Sequence, residues 1–287
     1  MNEVPEPDCD RPPQEPARAS RPLPPGSCDT HVHVFGPHAG SPLDRRRNYT
    51  PHECGLADYR KVMHALGHTR AVLVQPSVYG TDNRAMLDAL REGGPTFRGI
   101  AVLAPDVSDE ELQDMHALGV RGVRLNLVNP QVVGLEQTFA LLRRVSRLGW
   151  HLQVLPDLSH SPPDSLISLC NKVDVPVVVD HMGKLPPLTR AHPLFDLMKQ
   201  GRCWVKLSAP YRVGGDVTDL VRALADANPA QVLWGTDWPH TEQHHGTPEA
   251  ASLSDLLHDW FPDAQMLAQV CAANPARLYG YPQESAE

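Results

Sequence analysis

The sequence has no apolar run that approaches the roughly 18 residues of a transmembrane helix, and it has no stripe of lysine or arginine. Its net charge of −8 is spread along the chain, whereas a nucleic-acid partner would need a basic surface to neutralise phosphates. The N-terminus carries acids and prolines where a secretory signal would carry a basic cluster and an apolar stretch. We therefore predict a cytoplasmic protein with a small-molecule partner and with no nucleic-acid or membrane partner.

Several common motifs are also missing. The six cysteines are scattered without a CxxC pair in a chain of 287 residues, so we expect buried or free thiols rather than a disulfide framework. No GxGxxG or P-loop follows the first β-rich run, and no GxSxG elbow occurs. These absences argue against a dinucleotide-binding fold and against a Ser-His-Asp hydrolase.

The first segment of the chain differs from the rest. Residues 1–24 hold many prolines and almost no periodic apolar pattern, which is typical of a disordered or loosely draped tail. We predict one folded domain over residues 25–287, starting near Pro25. Its length matches a (β/α)8 barrel, which typically has about 250 residues, plus extensions.

Within that domain, short β-rich runs alternate with helical patterns about every 25 to 30 residues, which is typical of a parallel sheet. The predicted strands are Cys28–Val34, Arg70–Gln75, Arg98–Ala104, Gly122–Asn126, Trp150–Leu155, Pro176–Asp180, Cys203–Ser208 and Gln231–Thr236. The predicted helices are Leu56–Leu66, Asn83–Arg91, Asp109–Leu118, Leu135–Leu148, Ser165–Lys172, Pro193–Lys199 and Val217–Ala227. The predicted fold is α/β, a (β/α)8 TIM-type barrel; an open doubly wound sheet is the alternative.

Four residues could carry chemistry at the ends of these strands. His31 and His33 share one face of the first strand, so both imidazoles should point into the barrel lumen. His181 follows the sixth strand, and Asp237 follows the eighth, where a buried charge is costly without a partner or a function. Taken alone, His181 or Asp237 could be a structural residue, but the four residues together predict an active centre.

Longer motifs around these residues resemble a known family. HVH at 31–33, DHMG at 180–183 and WGTDWPH at 234–240 are similar to motifs of the amidohydrolase superfamily, and NPARLYG at 274–280 resembles the end of its amidohydrolase-2 branch. HVFGP at 33–37 and QPSVYGTDN at 75–83 resemble the pyrone-dicarboxylate lactonases and related lactone hydrolases within that branch. The likeness runs from about Cys28 to Gly280. It implies an enzyme that hydrolyses a small lactone.

The resemblance also implies substrate-contacting residues, which it places at Tyr49, Ser77, Arg124 and Arg212. Two departures leave the particular substrate open. The lactonases have a second arginine a few residues after Arg124, where this chain reads LVNP at 127–130, and a tyrosine after the fifth strand, where it reads LPD at 155–157. Since arginine binds carboxylates in a bidentate manner, the loss of one should weaken selection for a dicarboxylate.

A metal is the remaining question at the sequence level. Binuclear members of the superfamily use a lysine after the fourth strand, and this chain has Arg124 and Asn126 there, so we predict no binuclear centre. A mononuclear zinc ion held by the three histidines and Asp237 is chemically reasonable. The lactonase resemblance, however, implies a site that works without metal.

The sequence as a whole predicts a lactonase in which Asp237 activates water while His31, His33 and His181 stabilise the charge that builds on the carbonyl oxygen. The substrate would be a carboxylated lactone such as a pyrone, a muconolactone or a sugar-acid lactone. The alternative is a mononuclear metal-dependent decarboxylase of an aromatic or muconate-type acid. The oligomeric state is left open as a monomer or small homo-oligomer, and His240 is expected near the site.

Overall fold

A computed structural model of the chain describes residues 8–128, 135–243 and 246–282. Its eight strands are all parallel and pair in the order of the sequence, β1 with β2 through to β8. Backbone hydrogen bonds from His33 N to Trp238 O (2.8 Å) and from Asp237 N to His31 O (2.9 Å) join the two ends of the sheet. The strands are β1 Cys28–Val32, β2 Arg70–Val74, β3 Phe97–Ala101, β4 Val120–Asn126, β5 His151–Leu155, β6 Val177–Val179, β7 Cys203–Ser208 and β8 Val232–Gly235.

Helices alternate with the strands and cover the outside of the barrel, which confirms the predicted TIM-type fold. The first seven agree with the predicted helices to within three residues at each end: α1 Leu56–Leu66, α2 Arg84–Gly93, α3 Asp109–Ala117, α4 Leu135–Val145, α5 Asp164–Lys172, α6 Pro193–Lys199 and α7 Thr218–Ala227. Three more follow β8, namely α8 Ala250–Trp260, α9 Ala264–Ala268 and α10 Asn274–Tyr279. No helix of the described ranges has the length and apolar character to cross a membrane.

Local signals in the sequence set where the helices begin and end. Ser108 caps α3, because its hydroxyl accepts a hydrogen bond from Glu111 N (3.1 Å) while the Glu111 carboxylate accepts one from Ser108 N (2.7 Å). α1 ends just before Gly67, which adopts φ +81°, a left-handed conformation in which a side chain would be strained. Ser108 thus fixes where the chain enters α3, and Gly67 fixes where it leaves α1.

Two apolar layers fill the barrel. The outer layer packs the helices against one face of the strands, through residues such as Leu73, Leu152 and Val205. The inner layer fills the lower lumen and includes Val72, Ile100, Val178, Trp204 and Leu233, together with Tyr279 of α10. With the lower lumen packed, the four residues of the predicted active centre lie toward the carboxyl ends of the strands, where barrel enzymes carry their chemistry.

The N-terminal segment, predicted to be a disordered or loosely draped tail, contains no helix or strand over residues 8–24. Hydrogen bonds attach this part to the barrel. Near its end, Ser20 N and Oγ donate to the Asp255 carboxylate of α8 (3.0 and 2.8 Å), and Ala19 N donates to Ala65 O of α1 (3.2 Å). The segment therefore lies against the helices that flank β1.

Candidate active site

The four residues predicted to form the active centre meet at the carboxyl ends of β1, β6 and β8. All four side chains are buried. The Asp237 Oδ1 atom lies 3.6 Å from His31 Nε2, 3.7 Å from His33 Nε2 and 3.7 Å from His181 Nε2. The structure thus brings three imidazoles around one carboxylate oxygen.

Asp237 is held by its other oxygen. Oδ2 accepts hydrogen bonds from Tyr211 OH (2.7 Å) and from Arg212 Nε (2.8 Å), whereas Oδ1 has no hydrogen-bond partner among the described residues. Burial alone would raise the pKa of Asp237, but the Arg212 charge and the neighbouring imidazoles outweigh burial and hold that pKa well below its usual range. Asp237 is therefore an oriented, ionised carboxylate with one free oxygen.

The partners of Nδ1 indicate which nitrogen of each imidazole can accept a hydrogen bond. His33 Nδ1 lies 2.7 Å from Val74 O, which can only accept, so Nδ1 carries the proton and Nε2 has a free lone pair in the neutral ring. His31 Nδ1 lies between an acceptor and a donor, 3.3 Å from Asp180 Oδ1 and 3.5 Å from Lys206 Nζ, so either tautomer of its neutral ring has a partner. His181 differs, since its Nδ1 lies 2.8 Å from the hydroxyl of Ser208, a group that can donate as well as accept.

Charge states follow from burial. Removal from water lowers the pKa of His181 to about 4, although the Asp237 and Asp180 charges oppose the change. Burial also lowers the pKa of His31 well below its usual range. At neutral pH the centre therefore combines the neutral imidazoles of His31 and His181 with the carboxylate anion of Asp237.

A buried polar network beneath His31 was not predicted as functional. Lys206 Nζ donates to Thr30 O (2.7 Å) and to Gln153 Oε1 (2.7 Å), and Gln153 Nε2 donates to Asp180 Oδ2 (3.1 Å). Burial lowers the pKa of Lys206 to about 8, with the Asp180 charge opposing it. Because Asp180 contacts the His31 ring directly, this network holds that ring in one orientation.

All four residues predicted to contact substrate line one cavity of about 70 Å³ beside the histidines: Tyr49, Ser77, Arg124 and Arg212. Arg124 Nη1 donates to Gln75 O (3.0 Å), and its Nε has no hydrogen-bond partner among the described residues. Arg212 is more fully engaged, since its nitrogens contact Asp237, Thr241 O (2.7 Å) and Glu242 Oε2 (3.2 Å).

Sequence reasoning missed several groups at the cavity. Lys184, Asn48, Thr241 and Glu242 line it as well. Lys184 ends a four-residue turn after β6 and has φ +54°, a conformation that is uncommon for a residue with a side chain and often marks a functional position. The only available signal for Lys184 was its place three residues after His181 in the DHMGK stretch.

Tyr211 was also missed, although it lies beside Arg212 in the SAPYR motif. His240, expected near the site, is buried, and its Nδ1 lies 3.2 Å from Tyr211 OH. Burial lowers the pKa of His240 to about 4. Tyr211 therefore links His240 to Asp237. His244 and His245, the other histidines of this segment, lie outside the described residues.

The donor set fits a single divalent ion. One ligand atom each from His31, His33 and Asp237 lie within 4.8 Å of one another, and His31 Nε2 and Asp237 Oδ1 are both buried without a hydrogen-bond partner. Imidazole nitrogen and carboxylate oxygen are ligands that zinc accepts. The same acceptors could instead receive the two hydrogens of one water molecule. The geometry is therefore compatible with a mononuclear metal centre and with a metal-free water site.

The fold and site define a (β/α)8 barrel enzyme whose histidines and aspartate lie at the catalytic face. The family model described as amidohydrolase matches residues 28–281, so the chain belongs to the amidohydrolase family. It is 35% identical to 4-sulfomuconolactone hydrolase of Hydrogenophaga intermedia, with 90% of each chain covered, and 34% identical to 2-pyrone-4,6-dicarboxylate hydrolase of Comamonas testosteroni, with 94% of each covered. A solved structure from Pseudomonas putida, described as a candidate 2-pyrone-4,6-dicarboxylic acid hydrolase, has 30% identity and a TM-score of 0.76, covering 91% of this chain and all of that one.

Proposed function

We propose that the protein hydrolyses a carboxylated lactone of the pyrone or muconolactone type. The observation that carries this proposal is the free Oδ1 of an ionised Asp237, which faces three imidazoles beside a cavity that arginine and lysine side chains line. The named reactions of the two curated relatives, both lactone hydrolyses, support it. They favour lactone hydrolysis over the decarboxylase alternative.

In the proposed reaction, one water molecule donates its two hydrogens to Asp237 Oδ1 and to the free lone pair of His33 Nε2. Its oxygen attacks the lactone carbonyl carbon as Asp237 takes a proton. The tetrahedral intermediate then breaks the ring C–O bond, and the proton passes from Asp237 to the departing oxygen. One water molecule is consumed, and a carboxylic acid and a hydroxyl or enol are formed.

His181 is the imidazole best placed to stabilise the oxyanion. If the Ser208 hydroxyl donates to His181 Nδ1, the neutral ring carries its proton on Nε2 and presents it to the cavity. Such a donor stabilises negative charge on the carbonyl oxygen as the intermediate forms. We therefore assign His181 as the electrophile and His33 as the ring that holds the attacking water together with Asp237, while His31 Nε2 lies beside them, 3.6 Å from Asp237 Oδ1.

Recognition of the substrate acid would fall to Arg124 and Lys184. Arg124 Nε lies 3.8 Å from Asp180 Oδ2 but makes no hydrogen bond within the described residues, and the Lys184 side chain makes none there either. Lys184 supplies a second cation in a chain that lacks the second arginine of the lactonases. A lysine binds as a point charge rather than a fork, so this pair would tolerate more than one acid geometry. Tyr49 and Ser77 would orient the ring.

If a zinc ion binds, His31, His33, His181 and Asp237 would hold it, and it would supply Lewis-acid polarisation of the carbonyl group. The roles of Arg124, Lys184 and Arg212 would be the same in both cases. The cytoplasmic location and the monomeric or small homo-oligomeric state stay predictions from the sequence. Cell fractionation and size-exclusion chromatography would test them.

The experiment is a substrate screen with metal-stripped protein. Pyrone dicarboxylates, muconolactones and aldonolactones are each offered before and after zinc is added, and ring opening is followed by absorbance or by pH-stat titration. We expect hydrolysis of a carboxylated pyrone or muconolactone, much slower hydrolysis of the matching lactone without a carboxylate, and none with Asp237→Asn. Failure to open any of these lactones faster than buffer, with and without zinc, would overturn the proposal.

A further inference from the structure

The N-terminal segment reaches the catalytic face of the barrel. Asp10 N donates to Gln243 O (2.7 Å), and the Asp10 carboxylate accepts hydrogen bonds from Thr247 N (3.2 Å) and Thr247 Oγ1 (3.1 Å). Both partners belong to the chain that follows β8. Asp10 therefore holds this chain at two points.

Two residues earlier, the segment binds a second part of the catalytic face. Asp8 N donates to Thr50 O (3.0 Å), and Thr50 N donates to Asp8 Oδ1 (2.6 Å), so each of these two residues donates one hydrogen bond to the other. Cys9 Sγ also approaches Thr50 O, at 3.5 Å. Thr50 directly follows Tyr49, which lines the cavity.

The two parts of the chain that residues 8–10 join are walls of the candidate active site. Asn48 and Tyr49 line the cavity from the first, and Thr241 and Glu242 line it from the second. Asn48 Nδ2 donates to Glu242 Oε1 (2.5 Å), so the walls also contact each other. One wall is thus fixed against the other from outside, through residues 8–10, and from inside, through Asn48.

This contact extends to the reacting groups. Thr241 O and the Glu242 carboxylate both accept hydrogen bonds from Arg212, and Arg212 Nε donates to Asp237 Oδ2. A shift of the wall that contains Thr241 would therefore change how Arg212 is held, and through it the carboxylate of Asp237. The path from Asp10 to the proposed base runs through its hydrogen bond to Gln243, along the backbone to Glu242 and Thr241, and through the hydrogen bonds of Arg212 to Asp237.

We propose that residues 8–10 are a positioning clip that holds the two cavity walls at the separation that substrate binding requires. Asp10 is the central positioning residue, because its carboxylate accepts two hydrogen bonds and its amide donates a third. The separate attachment of Ser20 to Asp255 keeps the clip close to its partners, so that it binds as an intramolecular ligand. The activity arm of the test rests on the proposed lactonase function.

The test compares Asp10→Ala with Asp10→Asn in the full chain, and with Glu15→Ala as a matched control. Glu15 lies in the same segment and is 3.8 Å from Lys61, away from the cavity walls. With the best lactone from the screen, we expect Asp10→Ala to raise KM about tenfold, a size in keeping with the loss of charge-assisted hydrogen bonds, and to lower kcat by less than about threefold. Asp10→Asn keeps one oxygen acceptor and should recover most of the affinity, while Glu15→Ala should match the wild type.

A second measurement does not depend on activity. Amide hydrogen exchange should become faster at residues 48–50 and 241–243 in Asp10→Ala and should stay unchanged in Glu15→Ala, with the same Tm in all variants. Exchange at both walls that equals the wild type would overturn the clip, as would a KM unchanged by Asp10→Ala. If the wild-type protein opens no lactone, the proposed function fails while the exchange result still decides the clip.

Discussion

Asp237→Asn removes the proposed base while preserving the shape of the side chain. In the structure, Oδ2 accepts from Tyr211 and Arg212, and an amide oxygen can keep both of these bonds. The amide NH2 group would then take the place of Oδ1 and face the lone pair of His33 Nε2, with His31 Nε2 beside it. The variant should therefore fold with its site in place but without an acceptor for the proton of water.

The expected loss in kcat is at least two orders of magnitude, because a positioned general base contributes about 10²- to 10⁴-fold. Two orders correspond to about 2.7 kcal/mol of transition-state stabilisation. The assay is steady-state ring opening of the best lactone at pH 7, with thermal unfolding measured on the same samples. Asp216→Asn is the matched control, since Asp216 is exposed and its carboxylate contacts Thr218 at the start of α7. A kcat for Asp237→Asn within about threefold of the wild type would refute the assignment of the base.

Three further outcomes are expected. Arg124→Met should raise KM about tenfold or more with little change in kcat. The control Arg144→Met, which removes a surface partner of Asp109, should change neither KM nor kcat. A KM unchanged by Arg124→Met would show that this residue does not bind the substrate acid. Because the pKa values of Asp237 and His181 are lowered, kcat/KM should stay level from pH 7 down to about 5, instead of falling near the ordinary histidine pKa, and should decline only near pH 4. Arg212→Gln should move this decline to higher pH. A wild-type decline centred near pH 6.5 would contradict the charge states described above. Dialysis against a chelator should leave the activity intact, and loss of activity that one equivalent of zinc restores would show that the site works with a metal.

The barrel was predictable because its signals are local and repeated. Each strand of the described structure overlaps a predicted one, and α1 and α6 begin and end at the predicted residues. Strand ends were less accurate. The first strand was predicted to reach Val34 but ends at Val32, whose pairs with Leu73 of β2 and with Trp238 are the last of this strand.

The candidate reacting groups could be predicted since His31 and His33 alternate at the end of the first strand, while His181 and Asp237 follow apolar strands, where a polar side chain stands out. The network of Lys206, Gln153 and Asp180 could not be. In the sequence these residues are single polar positions on or just after the three consecutive strands β5, β6 and β7, and only the pairing of those strands brings them together. Their partners are set by register, which apolar periodicity does not specify.

The attachment of the N-terminal segment to the barrel could not be predicted from the sequence either, for a different reason. Its contacts are single hydrogen bonds from Asp8, Asp10 and Ser20 to distant backbone and side-chain groups. Such contacts leave no periodic pattern, and the prolines of this segment are compatible both with a free tail and with a docked one. The composition of this segment indicates that it forms no helix or strand, but it does not indicate which residues the segment contacts.

At the catalytic face, the residues proposed to react and the residues that line the cavity walls lie on different parts of the fold, which affects how this barrel could acquire new substrates. His31, Ser208 and Asp237 lie on or directly after strands, whereas Asn48 and Ser77 lie in the connections that follow β1 and β2. Directed evolution confined to those connections would sample new selectivities on an unchanged hydrolytic apparatus. A library of this kind should yield many active variants with altered preference, while equal diversity at the strand ends should yield mostly inactive proteins.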